Sequence, residues 1–218
     1  MGTVDRIKND SDKQSVEHKS SGKNMSDDGI LWSSFWNKNK ILMNLLKITP
    51  TYYGVTHFLK SIDLAPDAKI LDAGCGTGKL ASFLHSNGYN VIGVDNSDEA
   101  LILTESKGIH VQKGDILKGL PFDDNTFDLV YSDGLLEHFV DPTPIITELA
   151  RVSKKQLVTF VPRIEVYSDF TAMLLKPPRE YKRSDSDWIK LHSIIPNNSI
   201  KYKKIKFGIL AITVNVKK

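Results

Sequence analysis

Hydrophobic positions along the chain follow two rhythms. Compact apolar runs occur at Lys69–Asp72, Val91–Val94, Ile109–Gln112, Phe127–Tyr131 and Gln156–Pro162. Runs this short, bounded by Gly, Asn and Asp, predict buried strands. Between them the apolar residues fall at helical spacing. Leu80, Phe83 and Leu84 mark one helix, stopped by Asn87-Gly88, a good left-handed ending. Ser97 to Lys107 forms a second. Ile145, Ile146, Leu149 and Val152 mark a third, with Asp141 as its cap and Pro142 at its first position. Strands alternating with helices predict one three-layer α/β unit around a mostly parallel sheet.

The flanks read differently. Met1 to about Asp28 is polar, charged and nearly free of large apolar residues, and is expected to form a disordered tail (residues 1–28). Residues 29–218 are expected to form a single domain, with helices over 29–66 and the α/β core over 67–218. Ile30 to Ile62 looks helical, broken at Pro50, and Tyr52, Val55, Phe58, Leu59 and Ile62 form one stripe of the second helix. Arg163 to Asn198, punctuated by Pro177-Pro178 and Pro196, reads as irregular. Ser199–Phe207 and Leu210–Val216 alternate on either side of Gly208, which predicts an antiparallel hairpin.

Composition narrows the class. The chain has 218 residues and a net charge of +3, ordinary for one soluble domain. It has no apolar run of membrane-spanning length and no apolar secretory leader, so no membrane partner is expected and the cytoplasm is the expected location. Its one cysteine, Cys75, cannot pair within the chain. Charge is uneven: from Arg151 onward there are 15 Lys or Arg against 5 Asp or Glu. This could serve an anionic macromolecule, but aromatic residues do not interleave with the lysines, and lysine-fringed edge strands are the simpler reading.

The chemistry centres on Ile70 to Leu84, where a strand enters a glycine-rich turn and then a helix. Gly74, Gly76 and Gly78 stand at alternate positions after Asp72. A dinucleotide turn wants G-x-G-x-x-G, and Lys79 occupies the place of its third glycine; the phosphate-cradling pattern G-x-x-x-x-G-K-[ST] also fails. The pattern Asp72-x-Gly74-x-Gly76-x-Gly78 resembles motif I of the class I methyltransferases that use S-adenosylmethionine, specifically their type 11 group of small-molecule enzymes. The resemblance implies a Rossmann-like sandwich with a seven-stranded, mostly parallel sheet of order 3-2-1-4-5-7-6, and an N-terminal helical cap over the site.

It also implies roles. Asp72 would meet the cofactor's ammonium and the glycines would pass beneath its ribose and tail. Asp95, 23 positions after Asp72 at the tip of the second strand, would take both ribose hydroxyls, with Asn96 beside the adenine. Asp95 could otherwise cap the next helix, with Ser97 and Asp98 as rivals. Asp115 would accept from the adenine amino group, unless it only makes a turn, and Ile116 would pack on the ring. Ser132 and Asp133 end the fourth strand and face the transfer region. His138 is either a base for a hydroxyl nucleophile or a residue that orients its loop. Trp36 either lines the pocket or staples the cap to the core. Ser153-Lys154-Lys155 departs from the family's Lys-Pro-Gly-Gly turn. The implied reaction is in-line methyl transfer to an O, N, C or S atom, resting on proximity and alignment and needing no metal. A small molecule is the expected acceptor; tRNA or another anionic macromolecule is the alternative, and a catalytically silent partner subunit the third reading.

Overall fold

A computed structural model describes residues 26–45, 50–163, 178, 180–196, 199–205 and 208–216. Most of the expected tail, up to residue 25, and the stretch 164–177 lie outside these residues. Two helices come first, α1 (Ser26–Leu45) and α2 (Pro50–Lys60), so α1 begins inside the stretch expected to be tail. Five strand segments follow: β1 (Lys69–Ala73), β2 (Asn90–Asp95), β3 (His110–Lys113), β4 (Phe127–Asp133) and β5 (Ser153–Pro162). Between them lie α3 (Lys79–Ser86), α4 (Asp98–Glu105) and α5 (Thr143–Val152). The chain closes with α6 (Asp185–His192), β6 (Ser199–Ile205) and β7 (Ile209–Asn215).

The seven strands form one sheet in the order β3-β2-β1-β4-β5-β7-β6, the order the resemblance implies. The first five strands pair in parallel and β7 runs antiparallel to both β5 and β6. Successive residues of each central strand enter opposite cores. Leu71, Val130, Leu157 and Val161 meet α5 and α6 on one face. Ile70, Leu129, Val158 and Phe160 meet α2 and α3 on the other. Both faces are covered, which is why these strands read as unbroken apolar runs.

Helix α6 departs from the irregular reading of 163–198. Its signal is local: Ser184 accepts from the Asp187 N–H, while the Asp187 carboxylate accepts from the Ser184 N–H, a reciprocal cap. Its anchor is Trp188, fully buried, whose indole N–H donates to the Pro162 carbonyl at 3.3 Å. His192 ends the helix inside the core. Its Nδ1 meets the Trp188 carbonyl at 2.7 Å and its Nε2 meets the Thr159 hydroxyl at 2.8 Å. A carbonyl only accepts, so Nδ1 carries the proton and the Thr159 hydroxyl donates to Nε2. Burial lowers the His192 pKa to about 4, opposed by the bond to Trp188.

Of the expected lysine-fringed pair of strands, only β6 is an edge. Lys201, Lys203 and Lys204 are exposed along it, whereas β7 is interior.

Candidate active site

Strand order reverses between β1 and β4, and the crevice beyond their carboxyl ends is where open α/β sheets take ligands. The glycine turn opens there. The N–H groups of Gly74 and Cys75 both donate to the Val94 carbonyl, at 2.8 and 2.9 Å, tying the turn to β2. The Gly76 N–H donates to Asp95 Oδ2 and the Ser97 N–H to Asp95 Oδ1, each at 2.9 Å. Each carboxylate oxygen therefore receives one fixed backbone donor and keeps acceptor capacity for another. Burial raises the Asp95 pKa, opposed by the N–H groups of Ser97, Gly76 and Asn96. Ser97, not Asp95, caps α4, its hydroxyl accepting from the Ala100 N–H at 3.2 Å.

A cavity of about 310 Å³ lies beyond these strand ends. It is lined by Asp95, Asn96, Asp115 and Ile116 together with Trp32, Trp36, His138, Phe139 and Tyr181. Helix α1 supplies the roof through one face. A Cβ at Gly29 would lie 3.0 Å from the Asn96 carbonyl, Ser33 hydrogen-bonds Ser97 at 2.9 Å, and the Trp36 indole sits over Gly76. Residues 29, 33 and 36 share that face by helical spacing. The aromatic residues then knit together: the Trp32 ring lies 4.7 Å edge-on from His138 and 5.9 Å, stacked, from Trp36.

Seven of the residues singled out from sequence thus reach the cavity: Trp36, Gly74, Asp95, Asn96, Asp115, Ile116 and His138. Asp72, Gly76, Gly78, Ser132 and Asp133 do not line it. Gly76 is covered by Trp36, whose ring would stand 2.8 Å from a Cβ placed there. Gly78 faces α4, where a Cβ would strike the Thr104 hydroxyl at 2.6 Å, so its bareness serves helix packing. Ser132 is 1% exposed, with its Oγ buried and unpartnered. Asp72 is buried beside Tyr131 on the neighbouring strand. Burial lifts its carboxyl to about 7; Tyr131 and the Ala81 N–H pull it down, while Asp133 and Asp95 push it further up. Asp115 serves its turn as well as the cavity, since its carboxylate accepts from the Leu117 N–H at 3.1 Å.

A family model described as "Methyltransferase domain" matches residues 71–159, the span from β1 to β5 that builds this crevice. Over that span the chain resembles the class I methyltransferases, type 11. A demethylmenaquinone methyltransferase of Lactiplantibacillus plantarum is 39% identical to it over 107 residues, 44% of this chain and 45% of that protein. A malonyl-[acyl-carrier protein] O-methyltransferase of Erwinia billingiae is 37% identical over 89 residues, 39% of this chain and 34% of its own. The chain thus spans less than half the length of these curated relatives. Among solved structures, a SAM-dependent methyltransferase of Thermotoga maritima matches with a TM-score of 0.68 at 18% identity, covering 86% of this chain and 98% of that one, which shows the shared fold.

Sequence reasoning missed three parts of this site. Leu135 covers Gly74, its Cδ1 2.9 Å from where a Cβ would be. Tyr181 closes the cavity from the segment before α6, held by its N–H donating to the Glu137 carbonyl at 2.7 Å. Glu137 is 6% exposed, and burial raises its carboxyl to about 8. The only sequence signal for Glu137 is its place between Leu136 and His138 in a short turn, which does not reveal that its side chain turns inward.

Proposed function

We propose that this protein transfers a methyl group from S-adenosylmethionine, the cofactor of the family that residues 71–159 resemble, to a small-molecule acceptor. The observation that carries this reading is the Asp95 carboxylate, fixed by two backbone donors at the tip of β2 with room left on both oxygens and opening on the cavity. That arrangement fits a ribose diol, which offers two adjacent hydroxyl donors. Asn96, Asp115 and Ile116 flank the place an adenine would take. Half-buried Asp133 supplies negative charge beside the turn, suited to an ammonium or a sulfonium. When bound, the cofactor supplies an electrophilic methyl. The chain's share is to hold and align the reactants and exclude water, which alone accounts for large rate gains. His138 stands on the cavity wall, its ring edge-on to Trp32.

The relatives named above act on different acceptors, so the fold accommodates several. Among the described residues that line the cavity none is Lys or Arg, which favours a small molecule over the tRNA alternative. The calorimetric test is binding of S-adenosylhomocysteine. Asp95→Ala is expected to weaken it by about 1–3 kcal/mol, the scale of a lost charge-assisted hydrogen bond. Unchanged affinity would remove Asp95 from the ribose role; no binding by the wild type at sub-millimolar ligand would favour the catalytically silent reading.

A further inference from the structure

The cavity wall that follows β4 combines aromatic rings with a hidden acid. Glu137 sits in the short turn Leu136–His138, with its Oε2 buried and unpartnered. Buried carboxylate oxygens in folded proteins nearly always have a partner, and one without calls for an explanation. Gly134 provides the route to it. This residue lines the cavity, and a Cβ built on it would lie 3.6 Å from Glu137 Oε1. With no side chain at Gly134, the space a Cβ would fill lies within 3.6 Å of the carboxyl, and the φ of +70° keeps that position suited to glycine.

The surroundings select by charge. Burial acts on Glu137 first; the Asp133 and Glu180 carboxylates then press its charge upward in energy, and Arg183 offsets them. Arg183 is itself committed to the wall, donating to the carbonyls of Phe139 at 2.8 Å and Val140 at 2.6 Å and lying 4.9 Å over the Trp188 ring. The nearby cavity faces are Trp32, Phe139 and Tyr181. Rings of this kind attract a cation over their faces, whereas an anionic group would meet three carboxylates.

We propose that Glu137 is a binding residue for the methyl acceptor and that the acceptor is a primary or secondary amine, its nitrogen at Gly134 and its carbon skeleton against Trp32, Phe139 and Tyr181. This rests on the methyltransferase reading above. The acceptor binds as an ammonium and first passes one proton to the Glu137 carboxylate, which frees the nitrogen lone pair. That pair forms the new N–C bond while the C–S pair stays on sulfur, leaving a neutral thioether. The methylated product leaves as an ammonium, and Glu137, left protonated, returns its proton to solvent. Burial, which raises this carboxyl to about 8, suits it to receive that proton.

The test is calorimetry on the full chain saturated with S-adenosylhomocysteine, using three probes of similar skeleton: 2-phenylethylamine, 2-phenylethanol and 3-phenylpropanoate. The amine is expected to bind about tenfold more tightly than the alcohol, the scale of one charge-assisted hydrogen bond, with the acid weakest. In Glu137→Gln the preference should fall to near unity while S-adenosylhomocysteine binds as before. Equal binding of amine and alcohol by the wild type, no measurable amine binding, or the same preference in E137Q overturns the assignment; the wild-type comparison decides even if the variant misfolds. Absence of S-adenosylhomocysteine binding overturns the methyltransferase reading instead.

Discussion

At the scale of single residues, the three glycines of motif I look alike in sequence and do different work. Gly74 lines the cavity under Leu135, Gly76 lies beneath Trp36 while its N–H holds Asp95, and Gly78 lets α3 approach Thr104 of α4. Gly78→Ala would place a methyl within 2.6 Å of the Thr104 hydroxyl at a φ of +63°. The expected result is a loss of about 1–3 kcal/mol in denaturant unfolding, the usual cost of overpacking. An unchanged midpoint would show that α4 yields freely there. The position of Asp95 could be read from sequence because strand tips in this fold follow the apolar rhythm. The burial of Asp72 and Ser132 could not, because alternation tells which face a side chain takes but not how far the following loop covers it. Glu137 was missed for a related reason: its direction is set by a turn, and turns carry no hydrophobic period.

At the scale of elements, the apolar pattern gave the seven strands to within a few residues, since each central strand is buried on both faces. It failed at α6, where the capping pair Ser184 and Asp187 and the anchor Trp188 lie in a polar, proline-flanked stretch. The role of α1 was only half legible. Its aromatic residues suggest a buried face, but which face depends on a long-range match of Gly29, Ser33 and Trp36 to the β2–α4 corner. That match puts an indole directly over the glycine turn. Seating a ligand's tail there must change the surroundings of Trp36, whereas Trp188 is fully buried behind β5. Intrinsic fluorescence should therefore shift on addition of S-adenosylhomocysteine, and Trp36→Phe should remove most of the change. A signal that persists undiminished in the variant would place the tail elsewhere.

At the scale of the whole molecule, buried ionisable groups oppose one another with pH. His192 titrates near 4 when folded and at its ordinary 6.5 when unfolded. Between those values the unfolded chain holds the extra proton, so acidification costs stability. Asp72 at about 7 and Glu137 at about 8 act in the opposite sense. Their folded forms keep protons that the unfolded chain releases above its ordinary carboxyl range, so stability falls as pH rises toward 7 and 8. In a comparison of wild type with His192→Gln the carboxyl contributions cancel. The wild-type advantage at pH 7.5 should shrink as pH drops from 6.5 to 4, by up to about 3 kcal/mol; a constant difference in urea unfolding would contradict a neutral, buried His192.

The turn that shapes the crevice also encloses the lone thiol. Cys75 is 7% exposed, a Cβ at Gly93 would stand 3.0 Å from its sulfur, and burial raises its pKa well above the ordinary value. A thiol that is both sealed and protonated reacts poorly with alkylating reagents, so it becomes a clock for the opening of this loop. Iodoacetamide should label the native protein far more slowly than the unfolded chain, and S-adenosylhomocysteine should slow it further by holding the loop shut. Labelling at the unfolded rate in native buffer would mean that the loop breathes freely. If the clock runs slowly, a cysteine introduced anywhere on the surface can carry a spectroscopic tag without interference from the native one.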